Sequence, residues 1–448
     1  MSKVHLSSHL TFSKIFRLTI APILMMVISS LYSVADGFFV SNFAGGRAFT
    51  AVNLVMPVIM IVAAIGFMFA TGGSAFVAAL LGKKEEDRAR QAFSMIIYVA
   101  IVLGLIVSFT IFLFIDPIVR AMASLSSSTS EETIADAVLY GRIMLGGCVL
   151  YILQNTFQGF FAVAEKPSLG FIFTLAAGVT NAVFDCLFIG VFKWGVAGAA
   201  AASLLGQAVG GIGPFLYFLI NRKNTIYLGK PELMNRDLWK IISNGSSELV
   251  SSLSTSLVSI VFNLQLLKYV GEEGVSAYGI IMYVSYIFIA MFLGYSIGIA
   301  PAISYQYGAD NKKELTNIYR HSLLIITCFG IVMTGLSEVL AQPFSHIFSS
   351  GSATLEELST TSMRIYSICY LFCGFSIFGS SFFTALNNGL ISALISFIRT
   401  IGFQLICVIF IPLILGVNGI WWSMVIAEAG SFIMTWVFWI VKRKKYGY

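Results

Sequence analysis

The feature that most constrains this chain is a series of long stretches without a single Asp, Glu, Lys or Arg. An ionised side chain near the centre of a bilayer costs several kcal/mol, so charge-free stretches mark membrane-spanning helices. A spanning helix needs about 20 apolar residues, and 58% of the 448 residues are apolar while 11% are charged. The sequence therefore predicts a multi-pass membrane protein and excludes a soluble enzyme.

Twelve membrane spans are predicted from these stretches and from the polar residues that interrupt them. A secretory signal peptide is rejected for the first stretch, because it is longer than a usual signal core and belongs to the repeat described below. The predicted spans are 15–39, 51–80, 91–114, 134–162, 167–191, 195–219, 238–268, 275–305, 317–341, 357–386, 390–414 and 418–441.

The basic residues predict the orientation of these spans. With the N-terminus in the cytoplasm, twenty of the 27 Lys and Arg residues fall on cytoplasmic segments and five on outer segments. An excess of Lys and Arg is typical of cytoplasmic loops. We therefore expect both termini to be cytoplasmic, and we attribute the net charge of +6 to orientation and not to nucleic-acid binding.

The two halves of the chain also resemble each other. One constant shift along the sequence aligns Gly72 with Gly298 and Gly82 with Gly308, and a slightly smaller shift aligns Gly195-Val196 with Gly416-Val417. Repeats with an even number of spans have the same orientation and are related by an axis along the membrane normal. We therefore expect an all-α membrane protein with two six-helix bundles related by a pseudo-twofold axis. The predicted parts are an N-lobe at 1–220, a cytoplasmic linker at 221–237 and a C-lobe at 238–448.

Several kinds of chemistry have no support in the sequence. No GxxxxGK[ST] motif for ATP binding occurs, the four histidines are scattered, and the six cysteines lie in apolar stretches where we expect no disulfides. We expect no enzymatic activity, no cofactor, no metal centre other than a possible Na⁺ site at Asp36, Asn181 and Asp185, no nucleic-acid partner and no obligate protein partner.

Ionisable and polar groups inside apolar spans are functional candidates, because their burial is costly. At about 1.5 Å per helical residue, Asp36 and Asp185 reach similar depths in the outer half of spans 1 and 5, and Ser203 in span 6 can join them. Asn181 lies one turn from Asp185. These oxygens could hold a proton or a small hard cation. Alternatively, Asp36 caps its helix and Asp185 bonds to neighbouring backbone.

The C-terminal half has its own set of charged groups. Glu248 and Arg399 lie at similar depths from the inner face, and Glu428 can also reach Arg399. A structural ion pair and a substrate-facing role are both open for this group, which forms a predicted polar network of Glu248, Arg399 and Glu428.

Four segments together resemble the multidrug and toxic compound extrusion (MATE) family, and the resemblance extends over nearly the whole chain. They lie in span 1, in span 5 and at the entries to spans 6 and 12. The segments are Leu31-Tyr32-Ser33-Val34-Ala35-Asp36-Gly37-Phe38-Phe39-Val40, Asn181-Ala182-Val183-Phe184-Asp185, Gly195-Val196-Ala197-Gly198-Ala199-Ala200 and Gly416-Val417-Asn418-Gly419-Ile420-Trp421.

The resemblance implies an ion-coupled antiporter of the bacterial inner membrane. Such an exporter exchanges a drug-like, often cationic xenobiotic for incoming H⁺ or Na⁺, with membrane lipid as its surroundings. The implied N-lobe coupling site consists of Asp36, Asn181, Asp185 and Ser203, where Ser203 replaces a threonine common in the family. The implied polar residues of the substrate cavity are Tyr32, Tyr140, Asn155 and Gln158.

The alternative is a flippase for lipid-linked oligosaccharides or a related lipid of the same superfamily. A flippase of this kind is expected to have a strongly cationic central cavity for pyrophosphate. The N-terminal spans instead carry Asp36 and Asp185, with Arg142 as their basic residue inside a span. The sequence therefore favours drug export.

Overall fold

The structure is a computed structural model that describes residues 5–124, 130–348 and 352–448. Nearly all of these residues are helical, and no β-strand occurs among them. The first half contains α1 (Phe12–Phe39), α2 (Gly46–Met68), α3 (Ser74–Gly82), α4 (Glu86–Ala123), α5 (Glu131–Gly146), α6 (Cys148–Val163), α7 (Pro167–Asp185) and α8 (Gly195–Ile220). The second half contains α9 (Asn235–Tyr269), α10 (Glu272–Gly308), α11 (Lys312–Phe348), α12 (Ala353–Ser367), α13 (Tyr370–Ala385), α14 (Gly389–Phe397) and α15 (Ile406–Tyr446).

Some spans contain two helices. Short π-helical segments join α2 to α3 at Phe69–Gly73 and α14 to α15 at Ile398–Leu405, so each pair continues along one path. Two other pairs are bent, α5 with α6 by 56° and α12 with α13 by 50°. These bent pairs are the predicted spans 4 and 10, which occupy equivalent places in the two halves.

The last apolar segment contains two spans. Residues 389–446 form 58 residues of continuous helical path, which at 1.5 Å per residue is about 87 Å, far longer than the hydrocarbon core. Gly416 interrupts it with φ 59° and ψ −141°, a backbone region that suits glycine. Gly195, its partner in the repeat, also has a positive φ of 57° and begins α8. Counted in this way, the described residues form the twelve predicted spans.

Each half has its own apolar core. The first core includes Phe93, Phe157 and Phe218, and the second includes Tyr295, Phe378 and Trp421. Helix α1 belongs to both halves, because Leu18 and Ile23 near its start lie in the second core while Tyr32 packs against Gly178 of α7. The first span therefore ties the two bundles together, although it lies within the predicted N-lobe.

Close helix crossings follow the predicted repeat. Gly72 approaches Gly245 of α9, and a Cβ at Gly72 would lie 2.6 Å from the Gly245 nitrogen. The equivalent contact in the repeat joins Gly298 of α10 to Thr19 of α1, where a Cβ would lie 3.1 Å from the Thr19 Cα. Span 2 thus crosses span 7 as span 8 crosses span 1. This is the arrangement that a pseudo-twofold axis along the membrane normal requires.

Candidate functional site

The first half contains a cavity with a volume of about 90 Å³. Its walls come from α1, α2, α5, α6, α7 and α8. Most of its lining is apolar or uncharged, including three methionines that can adapt to ligands of different shape. The lining residues of interest are Tyr32, Asp36, Tyr140, Tyr151, Gln154, Asn181, Ser203 and Gln207.

Asp36 lies in the wall of this cavity, close to three other polar side chains. It is 8% exposed, and its carboxylate lies beside Asp185, Asn181 and Ser203. One of its oxygens, Oδ1, has no hydrogen-bond partner among the described residues. The structure therefore brings together the four residues predicted as a coupling site, while their role in coupling stays a prediction.

Asp185 lies behind Asp36 and is completely buried. Neither of its carboxylate oxygens has a hydrogen-bond partner in the described part of the chain, and the same is true of Asn181 Oδ1. Buried polar atoms are normally paired, and an unpaired buried carboxylate is among the most costly groups a protein can hold. The cluster is therefore suited to a proton or a cation that these oxygens can share.

The backbone explains how these side chains meet. Asp185 ends α7, and a π-helical segment, Cys186–Val191, follows it directly. Another π-helical segment, Val40–Ala44, begins one turn after Asp36. Such segments turn side chains out of regular register and are frequent at functional sites. Gly206 completes the arrangement, because a larger residue there would press on Asn181 and on the Ala177 carbonyl.

The substrate-cavity residues implied by the resemblance fall into two groups. Tyr32 and Tyr140 line the cavity. Asn155 and Gln158 are buried in α6, but they are not among the described residues that line it. Their assignment as cavity residues stays a prediction.

Gln154 and Tyr151 line the cavity in their place and were missed by the sequence reasoning. Their spacing of three residues puts them on one face of α6, and Tyr32 lies near both. Gln207 of α8 also lines the cavity and was missed as a site residue. A comparison of amide and phenol spacing along span 4 could have identified the α6 face.

The C-terminal half contains a buried ion pair. The Nε atom of Arg399 donates to both Glu428 oxygens at 3.0 and 3.1 Å, and Nη2 lies 2.9 Å from Oε1. Gln404 donates to the same Oε1 at 2.7 Å. Arg399 and Gln404 both lie on the π-helical segment Ile398–Leu405, which packs against α15.

Glu248 stands apart from that pair. It lies in the middle of α9, among serines, and makes no ion pair within the described residues. Of the two partners predicted for Arg399, the structure selects Glu428. The three residues therefore form one paired site and one separate carboxylate, and the described residues contain no group of three or more His, Cys, Asp or Glu side chains that could hold a metal.

Comparisons with known proteins find similarity along nearly the whole chain. A sequence profile described as MatE matches residues 22–187 and 249–410, one range in each half. Multidrug export protein MepA of Staphylococcus aureus (strain NCTC 8325 / PS 47) is 25% identical to this chain over 412 residues, which are 90% of this chain and 88% of MepA.

Solved structures share the fold. The outward-facing conformation of a multidrug resistance MATE family transporter of the MOP superfamily matches with a TM-score of 0.92 and 22% identity, over 99% of this chain and 98% of that one. A MOP superfamily transporter from Pyrococcus furiosus, described by a reverse polarity of its binding pocket that suggests a different function, matches with a TM-score of 0.88 and 22% identity, over 97% and 96% of the two chains.

Proposed function

The chain belongs to the MatE family of membrane transporters, and on that premise we propose that it is a secondary active multidrug exporter of the bacterial plasma membrane. It exchanges amphipathic, often cationic organic compounds for incoming H⁺ or Na⁺ by alternating access. It is a transporter and not an enzyme. The observation that carries the proposal is the pair of buried, adjacent carboxylates, Asp36 and Asp185, at a cavity lined by aromatic and methionine side chains.

The charge of the Asp36–Asp185 pair explains how ion entry and substrate export can be coupled. Two carboxylates in low dielectric resist double ionisation, so one proton is readily shared between them. An ion that binds from outside removes the negative charge that attracts a cationic substrate and so favours its release. Inward ion flow can then drive export without ATP.

The proximity of Asp36 and Asp185 favours H⁺ over Na⁺ as the coupling ion. A single proton relieves their repulsion without further ligands. Na⁺ would also need oxygens such as Asn181 Oδ1 and Ser203 Oγ to complete its shell. Both side chains adjoin Asp36, so Na⁺ is the alternative against which the experiment is designed.

The polarity of the cavity argues against the flippase alternative. No Lys or Arg occurs among the described residues that line it. Arg142, the basic residue within the N-terminal spans, is exposed on α5 and stacks against the Phe112 ring at 6.0 Å. A cavity of this kind suits a cation better than a pyrophosphate.

The test is export from proteoliposomes with either a pH or a Na⁺ gradient imposed. Asp36→Asn and Asp185→Asn should each abolish ion-driven export of a cationic dye and leave membrane insertion intact, because a neutral isostere is easier to bury. Asp116→Asn is the matched control, since Asp116 pairs with Arg120 on a partly exposed surface of α4. Normal ion-driven export by the double variant would contradict the proposal and direct attention to Glu248.

We also propose that the lobes are 1–220 and 238–448, with 221–237 as a cytoplasmic linker and both termini in the cytoplasm. The two separate cores support the division. The linker packs on the first half, where Ile226 and Leu228 are buried in its core. The linker is therefore packed against one lobe and is not a free tether.

A further inference from the structure

A pocket of about 290 Å³ lies between α11 and the last turns of α15 and shares no lining residue with the N-lobe cavity. Its lining combines rings and cations, among them Tyr319, Arg320, Trp436, Trp439 and Arg443. We propose that this α11/α15 pocket binds the headgroup phosphate of an anionic phospholipid. The proposal does not depend on which substrate or ion the protein transports.

The α11/α15 pocket has more hydrogen-bond donors than acceptors to pair with them among the described residues. No Asp or Glu side chain pairs with Arg320 or Arg443 within the described residues, and the Nε–H of Arg443 donates to the carboxyl oxygen of Tyr448, the last residue of the sequence, at 3.0 Å. The indole nitrogens of Trp436 and Trp439 are buried without an acceptor in the same described part. A phosphodiester supplies several acceptor oxygens and one negative charge, which matches Arg320, a cation without a carboxylate partner among these residues.

The surroundings suit a lipid and not a free ion. On α15, Val437 is 53% exposed and Ile440 67%, and on α11 Leu324 is 54% exposed. These apolar faces lie beside the pocket and continue toward the middle of the spans, where acyl chains would lie. Trp rings are also enriched at the level of lipid headgroups.

The residues around the pocket carry positive charge, which attracts an anionic headgroup. Lys312, Lys313 and the run Lys442–Lys445 flank the pocket at the same end of the C-terminal half. Clusters of four to eight basic residues next to a spanning helix attract anionic lipids. Such a cluster alone would act on any anionic surface, so the experiment must separate it from the pocket.

Retention of lipid by the purified full chain, counted by native mass spectrometry, tests the site. Protein extracted from vesicles of phosphatidylglycerol and phosphatidylcholine in equal parts should retain phosphatidylglycerol, and Arg320→Gln with Arg443→Gln should reduce that retention at least about tenfold, or 1.4 kcal/mol. Lys444→Gln with Lys445→Gln removes the same charge outside the pocket and should lower retention by a clearly smaller factor. Trp436→Phe, which removes the N–H donor and keeps the charge, should lower retention as well.

Three results would overturn the proposal. They are equal loss in both double variants, equal retention of the two lipids, and displacement of the lipid by millimolar inorganic phosphate. The first would reduce the effect to general charge attraction. The last would identify a free anion as the ligand.

A second, independent inference concerns residues 5–11, here called the N-terminal strap. The strap contains a repeated His-Leu pair, His5-Leu6 and His9-Leu10. Each pair makes two hydrogen bonds to one carboxylate. For Glu165 the partners are His5 Nδ1 at 2.8 Å and the Leu6 N–H at 2.7 Å. For Glu314 they are His9 Nδ1 at 2.7 Å and the Leu10 N–H at 2.8 Å.

The two carboxylates belong to different halves. Glu165 follows α6, with a φ of 57° that is costly for a residue with a side chain, and Glu314 lies in the first turn of α11. Gln306 of α10 and Asn317 of α11 donate to the carbonyls of Leu6 and Leu10 at 2.7 and 2.8 Å.

Both leucines of the strap are buried in the second core, Leu6 at 2% and Leu10 at 0% exposure. We infer that the strap is a latch that holds the two halves together at the end of the molecule where α3 meets α10. The strap must release when that end opens.

Hydrogen exchange of the full chain tests the latch. His5→Ala with His9→Ala should release the amides of Leu6 and Leu10 and also raise exchange at 76–82 and 301–308, where α3 meets α10. Ser7→Ala, an exposed position in the same strap, should change neither. Protected Leu6 and Leu10 amides in the double variant, or a released strap with unchanged exchange at 76–82, would overturn the inference.

Discussion

Gly82 and Gly308 occupy equivalent positions in the two halves, and each packs against the helix that carries the other. A side chain at Gly82 would collide with the backbone oxygen of Tyr305, and one at Gly308 with that of Ala79. Ala79 and Tyr305 are related by the same shift along the chain as the two glycines, so the two contacts are symmetry mates. They close one end of the molecule through direct backbone contact between α3 and α10.

This crossing predicts the effect of a single added side chain. Gly82→Val should force α3 and α10 apart, because backbone on the far side cannot move as a side chain can. Overpacking of this kind costs about 1–3 kcal/mol, which changes the population of the closed end by roughly 5-fold to 140-fold. Spin labels at Asp87 and Lys313, two exposed positions beside the crossing, should report a longer distance by electron–electron double resonance.

Gly335→Val is the control for this experiment. Gly335 lies inside α11 and has open space where a Cβ would stand, so the same change of residue type is made there without a collision. The same distance distribution in Gly82→Val as in the parent protein would show that the crossing does not close this end.

Sequence patterns could predict the fold because a bilayer reduces the choices. Charge-free stretches locate spans, and an even-numbered repeat predicts equal orientation of the halves. Asp36, Asn181, Asp185 and Ser203 could be grouped because depth follows from residue count along a helix. These four side chains do meet in the structure.

Details that depend on rotation about a helix axis could not be predicted in the same way. Gln154 lines the cavity and its neighbour Asn155 is not among the lining residues, because each helical residue turns by about 100°. The choice of Glu428 over Glu248 as the partner of Arg399 depends on the π-helical segment that carries Arg399. No apolar period in the sequence indicates such a segment.

The Arg399–Glu428 pair predicts strong coupling between two substitutions. Arg399→Gln or Glu428→Gln alone leaves a buried charge without its partner and should destabilise the fold by about 3–5 kcal/mol. The double variant should lose less than the sum of the two. Thermal unfolding of each variant in the same detergent measures the difference.

Glu248→Gln serves as the reference in this series. Glu248 makes no contact with Arg399 among the described ion pairs and hydrogen bonds, so the cycle of Arg399→Gln with Glu248→Gln should be additive. Additivity in the Arg399–Glu428 cycle as well would show that the pair is not formed in the folded protein.

The orientation can be tested with cysteines at exposed positions. Lys230 and Lys444 are exposed in the structure and are the positions to replace by cysteine. In a background without the exposed Cys186 and Cys328, Lys230→Cys and Lys444→Cys should both resist an impermeant thiol reagent in intact cells, because their segments carry the excess of basic residues.

Lys268→Cys, at the opposite end of α9, should react with the same reagent and shows that labelling works. Permeabilised cells should label all three positions. Reaction of Lys230→Cys or Lys444→Cys in intact cells would reverse the proposed orientation.

Asn181 distinguishes the two candidate coupling ions. With H⁺, the proton is shared between Asp36 and Asp185, and Asn181→Ala removes only a neighbouring amide, so export driven by a pH gradient should continue. With Na⁺, the same substitution removes an oxygen ligand, and the Na⁺ concentration for half-maximal export should rise by about tenfold, equivalent to 1.4 kcal/mol. Because the two carboxylates lie close together, we expect the first result. Asn53→Ala is the matched control, since Asn53 is an exposed amide in α2 that donates to the Phe49 carbonyl. A Na⁺ gradient that drives export in the parent protein and fails in Asn181→Ala would contradict proton coupling and would identify Asn181 Oδ1 as a sodium ligand.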